Sequence, residues 1–487
     1  MLIPLDIPPG VYRNGTDYSS RGRFNDADLW RWFENTQRPI GGWRLKSTQT
    51  VTGKARAILT WLDNSSQAWT AIGTEQGLYV YTRSGVRHTI TPAGFVAGNA
   101  NATTGGGYGT GTYGTGVYGV PRPDSTNTIP ADVWTLDTWG EYLVACFKGK
   151  IYEWTLNVAN PAVLIGTAPL PEAIISTEER SLFALGADGD PRSVKWSDLE
   201  DNTDWTPSAT NQAGGKRLQT DGRLLCGKRI RGGLLLFTDT DVHLATYDGL
   251  PYVYRIERQA TGCGLISKQG VAVTGAGTYW MGANGFWVYN SGVQPLQCDV
   301  GDYIFSDINQ SQRSKVAAVH NSQYGEVWWC YPSAASIEID RYVSFNYREN
   351  HWSIGSLVRL CGTDRGVLPY PLMVGSDGSL YEHEVGTLRD GRSPYALSGP
   401  VEMGNGETTM DVETVIPDEL ALGDVVVSFT TGDWPLSPDE IFGPYAASEK
   451  TDVRFNARRV AIKLVATPDQ DFRVGTFRVE ASPGSPR

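Results

Sequence analysis

The sequence predicts an all-β protein: a β-propeller of about seven blades, with a short N-terminal extension and a C-terminal β-sandwich-like domain. Three observations carry this. A strand-turn-strand motif recurs at even spacing. Glycine and proline are abundant, 56 and 27 in 487 residues, as many short strands joined by turns require. The 16 tryptophans and 23 tyrosines suit pleated, half-buried surfaces.

The repeat is seen in AIGTEQGLYVY (71–81), YWMGANGFWVY (279–289) and MVGSDGSLYEH (373–383), with FKGKIYEW (147–154) a tighter version. Each joins an apolar strand to an alternating aromatic strand through a glycine-bearing turn. Turn centres fall at Gly77, Gly149, Gly189, Asp241, Gly285, Ser336 and Gly378. Their separations centre in the forties, the length of a four-stranded blade. The widest gap, between Gly77 and Gly149, holds an insertion at about 95–121.

The order of elements follows. Residues 1–46 form an extension in which NDADLWRWFEN (25–35) predicts one short helix, capped by Asn25 or Asp26, with Leu29, Trp30 and Phe33 on one face. The extension carries seven basic against five acidic residues. These serve ion pairs between segments, or else a subunit interface or DNA-facing rim. Residues 47–397 form the propeller. Residues 398–487, with 15 acidic and 8 basic residues, contain alternating runs such as VVVSFTT (425–431) and predict a small sandwich.

The net charge of −11 argues against a free-standing nucleic-acid binder, since phosphate contacts need a basic surplus. The six cysteines show no CxxC spacing, so they read as buried thiols of a chain assembled in a reducing cytoplasm. The opening MLIPLDIPPG lacks the features of a secretory signal, and no apolar run approaches the ~20 residues of a membrane helix.

Four features of the sequence bear on chemistry. GGGYGTGTYGTGVYG (105–119) matches GxGxxG twice, but lacks the phosphate-binding lysine and runs into Pro121 and Pro123 where a helix must start. Its glycines allow mobility and its tyrosines are adhesive, so Tyr108, Tyr113 and Tyr118 mark a contact or gating loop, with a plain spacer as the alternative. DGDPRSVKWSDLEDNTDW (188–205) holds six carboxylates. Asx-turns account for them; a calcium loop is the alternative, although the EF-hand order is absent. His383, between two glutamates, reads as structural. The remaining histidines lie far apart, with no nucleophile motif near them. The sequence offers no catalytic constellation, cofactor motif or metal set.

Three stretches resemble one family. They are PPGVYRNGTDYSSRGRFNDADLWRWFENTQRPIGGWR (8–44), VKWSDLEDNTDWTPSATNQAG (194–214) and the tail, through SGPVEMGNGETTMDVETVIPDELALGDVVVSF (398–429), GPYAASEKTDVRFNARRVAIKLVA (443–466) and FRVGTFRVEASPG (472–484). Together they resemble the tail nozzle (tail hub, or tubular tail) proteins of short-tailed bacteriophages. The pentapeptide Gly/Tyr repeat matches no motif of that family. The resemblance implies a virion tail protein assembled in the host cytoplasm: a homo-oligomeric ring, a hexamer, below the portal and adaptor. It implies contacts with the head-to-tail connector, with fibres or spikes, and with passing double-stranded DNA that is not bound sequence-specifically. An acidic surface fits a conduit that must not hold its cargo. The rival readings are a receptor- or carbohydrate-binding propeller of the tail, on its aromatic content, and a propeller glycosidase, on the fold's versatility.

Overall fold

The computed structural model describes residues 2–105, 127–402, 407–420, 424–434 and 437–484. Seven four-stranded antiparallel sheets form seven blades. Their inner strands are Ala55–Leu62, Thr135–Trp139, Ala173–Ser176, Leu224–Ile230, Val271–Val273, Ala317–Asn321 and Arg359–Thr363. Each inner strand contacts the next, and the last returns to the first, closing the ring. All seven turn centres read from the sequence lie at the junction of the second and third strands of a blade.

Local chemistry explains the hairpins. In blade 2, Phe147 pairs with Lys150 around a two-residue turn in which Lys148 and Gly149 both have positive φ. That geometry matches the right-handed twist of the strands it joins. Between blades 1 and 2, Gly73 lets the Trp134 indole lie flat on the sheet; a Cβ there would stand 2.5 Å from Trp134 Cγ. Trp134 then stacks on Phe147 at 4.5 Å and donates from Nε1 to the Thr74 carbonyl at 2.7 Å.

The seventh blade takes its outer strand, Trp43–Leu45, from the beginning of the chain. This ties both ends of the propeller sequence into one sheet and leaves no open blade edge at the junction.

The tail forms a two-sheet sandwich, and the head contributes to both sheets. One sheet has the order Leu2–Pro4, Arg478–Pro483, Met410–Ile416, Thr451–Ala457. The other has Phe24–Asp28, Tyr395–Ser398, Arg459–Ala466, Val425–Gly432, Glu440–Ala446, with Val401–Glu402 beside Arg459–Ala466. Val425–Gly432 alternates buried and half-buried positions along its whole length, the pattern of a strand with one face in a core.

The helix expected within 25–35 is replaced by strands Phe24–Asp28 and Trp30–Phe33. Leu29 between them adopts φ 54°, and Glu34 and Asn35 make a two-residue turn into Thr36–Pro39. Trp30 and Trp32 lie in one core, while Leu29 packs into another with Trp328 and Trp43. Burial on both faces at a period of two overrides the helical spacing. Asp26, one of the two expected caps, instead accepts from Arg13 at 3.1 Å and from the Tyr395 hydroxyl at 3.1 Å.

Sandwich and propeller share one continuous core. Phe24, Trp30 and Trp32 of the head, Phe286, Trp329 and Trp352 of blades 5 and 6, and Phe429 and Phe472 of the sandwich belong to the same buried cluster. Arg31 of the head hairpin pairs with Glu326 of blade 6 and with Glu384, just after the third strand of blade 7.

Candidate functional site

The lead-in segments of blades 2 to 6 converge at one end of the propeller axis and ring a cavity of about 730 Å³. They include Ala131–Val133, Glu172, Arg223, Ile266–Lys268 and the turn Gln310–Ser314. The charged groups are Lys148, Arg223, Lys268 and Arg313, with Asp132 and Glu172. Lys268 pairs with Glu172 at 3.2 Å, and Arg223 with Asp239 at 3.3 Å. Lys148 stands 3.9 Å from Asp132.

The floor of this mouth is crossed by a side chain. Gln269 Nε2 of blade 5 donates to the Trp134 carbonyl of blade 2 at 3.1 Å, and the two blades face each other across the ring. Deeper in, Asp137 accepts from Arg229 at 2.5 Å and from the Ser176 backbone N–H at 2.7 Å, tying blades 2, 3 and 4 together.

The Gly/Tyr insertion is rooted at the rim. It enters and leaves through the hairpin Thr103–Gly105 and Asn127–Ile129. Ala102 exchanges two hydrogen bonds of 3.0 Å with the Gln312 side chain. Asn101 Oδ1 accepts from Lys315 Nζ at 2.6 Å, and the Ala100 carbonyl accepts from Arg56 at 3.0 Å. Beneath them Arg56 makes a two-point pair with Glu338, at 2.7 and 2.8 Å. Burial pushes the Lys315 ammonium down to about 8, although Glu338 at 3.9 Å opposes the shift. Burial disfavours the ionised Glu338, but Arg56 and Lys315 more than offset it and hold its carboxyl below the usual range. Tyr108, Tyr113 and Tyr118 lie outside the described residues.

The carboxylates of 188–205 are not brought together. Asp188 pairs with Lys195, Asp190 with Arg217, Asp201 caps Thr203, and Asp204 caps Thr206. Among the described residues, no group of three His, Cys, Asp or Glu side chains is arranged to hold a metal ion. The histidines are equally scattered. His383 is buried, accepts from Arg359 Nε at 2.9 Å and stacks on Trp43. Burial, with the Arg359 charge, pushes its imidazole well below the usual range. The cysteines are all free, and burial raises Cys146, Cys330 and Cys361 to about 12.

Most of the basic side chains of the head are engaged by the chain's own carboxylates. Arg13 meets Asp26, Arg21 meets Glu402, Arg23 meets Asp299, and Arg44 and Lys46 share Glu382. These are the inter-segment ion pairs that the sequence offered as one reading. Two buried charge clusters escaped sequence reasoning: Arg56–Glu338–Lys315 and Arg31–Glu326–Glu384. The available signal was a lone charge inside an apolar run, as in Trp30-Arg31-Trp32 and Glu326-Val327-Trp328-Trp329.

A second cavity lies inside the sandwich. Its volume is about 280 Å³, and its walls include Met410, Val412, Phe429, Phe455, Ile462 and Ala481.

The fold and its axial mouth define a seven-bladed propeller with a sandwich built onto its sixth blade. No family model and no curated protein matches the sequence. Solved propellers are similar to it in fold. Virginiamycin B lyase from Staphylococcus aureus is 8% identical with a TM-score of 0.44, over 70% of this chain and 99% of that one. The Pan2 WD40 domain of Neurospora crassa is 9% identical with a TM-score of 0.39, over 70% and 94%. BamB from Moraxella catarrhalis is 9% identical with a TM-score of 0.37, over 79% and 97%.

Proposed function

We propose that this chain is a structural subunit of a virion tail, one copy of a ring-shaped nozzle that continues the DNA channel of a short-tailed phage, and that it performs no turnover. The observation that carries the reading is the single core running from blades 5 and 6 into a sandwich assembled from both ends of the chain. Such a copy is a rigid block, which is what a ring under internal pressure needs. Two of the stretches that carry the resemblance, 8–44 and the tail, meet in that sandwich and its joint. The Gln269–Trp134 hydrogen bond spans the propeller axis. DNA therefore passes between copies, through a lumen that the ring encloses, and not through any one propeller. Ring closure requires two different patches on each copy. The net charge of −11 keeps the genome from adhering. In this reading the Gly/Tyr insertion is a contact with a neighbouring copy, a fibre or the lumen.

The test is mass and shape: light scattering of the purified chain alone and with the connector, and negative-stain images of particles with and without it. A six-fold ring, and particles that lose DNA when the chain is missing, are expected. A monomer that stays single on the connector and binds cell-surface glycan would overturn the nozzle. It would favour the receptor-binding alternative, for which the 730 Å³ axial mouth is one candidate pocket.

A further inference from the structure

We infer that the C-terminal sandwich holds a thin apolar molecule, an alkyl chain with an uncharged head, in the cavity between its two sheets. This does not depend on the nozzle reading.

The lining supports it. The cavity of about 280 Å³ reaches across the sandwich, from Met410 and Val412 on one sheet to Phe429 and Ile462 on the other. Those four side chains are at most 7% exposed. An apolar wall gives water little to bond, so such a space favours apolar guests. A cavity of about 150 Å³ already holds benzene, so this one admits a bicyclic ring or a medium-length chain.

The entrance is placed by topology. Ile3 and Leu5, from the N-terminal edge of one sheet, and Val401, from the short strand on the other, are only half-buried. They form the rim between two sheet edges. Among the described residues, the only charged lining group is Glu402, whose carboxylate accepts from the Tyr18 hydroxyl at 2.6 Å and pairs with Arg21 at 3.3 Å. A carboxylate at the rim disfavours a second one, whereas a hydroxyl can donate to it. An alcohol head therefore fits better than a fatty acid.

The full-length chain is titrated with the dye N-phenyl-1-naphthylamine, which brightens in apolar surroundings, and the dye is then displaced with n-decanol or with decanoate. Bright, saturable binding is expected, displaced by decanol at a several-fold lower concentration than by decanoate. Ala481→Phe, which fills the cavity, should weaken dye binding at least tenfold. Val479→Leu, a smaller filling, should weaken it a few-fold and serves if the larger variant fails to fold. Folded wild-type protein that neither brightens the dye nor gains thermal stability with decanol overturns the site. So does dye binding unchanged in the cavity-filling variant that folds. Equal displacement by decanoate overturns the assignment of the head group.

Discussion

Arg31 and Glu326 form a two-point ion pair, at 2.6 and 2.8 Å, across 295 residues of sequence. The same guanidinium reaches Glu384 at 2.6 and 3.0 Å and lies 3.7 Å from the centre of the Tyr324 ring. Glu326 also accepts from the Trp328 indole, and Glu384 from Gly41 and Asn321. One buried cation thus fastens the N-terminal hairpin to blades 6 and 7.

Removing that cation leaves two buried carboxylates uncompensated. Arg31→Ala is expected to cost about 3–5 kcal/mol, read from urea unfolding. Arg31→Met combined with Glu326→Gln and Glu384→Gln should recover much of the loss, because no unpaired charge remains. If the triple variant is as unstable as the single one, packing and not charge holds the joint.

Acid should destabilise the fold from just below neutrality. Burial lowers the folded-state affinity of His243, His351 and His383 for protons. The unfolded chain therefore binds protons first, as pH falls through about 6.5. Their contribution is present above that pH and is lost progressively below it. His383→Gln should flatten the decline of the unfolding midpoint between pH 6.5 and 5. An equally steep decline in that variant would exclude His383 as a contributor.

Alkali should act in the opposite sense through Lys315. With its native ammonium lowered to about 8, the unfolded chain holds the proton more tightly until about pH 10.5. Stability attributable to this group rises over that window. Lys315→Met removes the rise, which is measured as the difference in midpoint between the two proteins at pH 7.5 and 10.

Shortening the insertion should spare the propeller. Gly105 and Asn127 are paired strand neighbours, so a two-residue turn can join them directly. The variant should unfold at the wild-type temperature and fail instead in ring assembly, fibre attachment or DNA retention. A large fall in the unfolding temperature would mean that the segment is part of the fold.

Deleting residues 1–46 should abolish folding of both parts. The deletion removes the outer strand of blade 7 and a strand from each sheet of the sandwich. Trp43→Ala alone, at a position 4% exposed, is expected to cost about 3–5 kcal/mol. A folded fragment 398–487 would contradict the shared sandwich.

What the sequence by itself determined is the repeating, local part of the molecule. Blade hairpins depend on turn residues and on alternation over a dozen positions, both visible in runs such as FKGKIYEW and VVVSFTT. The insertion was visible because it breaks that rhythm. The tertiary structure decided what rests on contacts between distant residues. The head became strands, not a helix, because partners near residues 395, 380 and 474 pair with it and bury both its faces. Asp188 and its neighbours, adjacent in sequence, were parted among separate turns. Gln269 and Trp134, far apart in sequence, met across the axis. Period and turn chemistry act over a few residues and leave a trace in the chain. Strand partners, buried ion pairs and cavities belong to the closed ring and the shared core, and no short stretch of sequence encodes them.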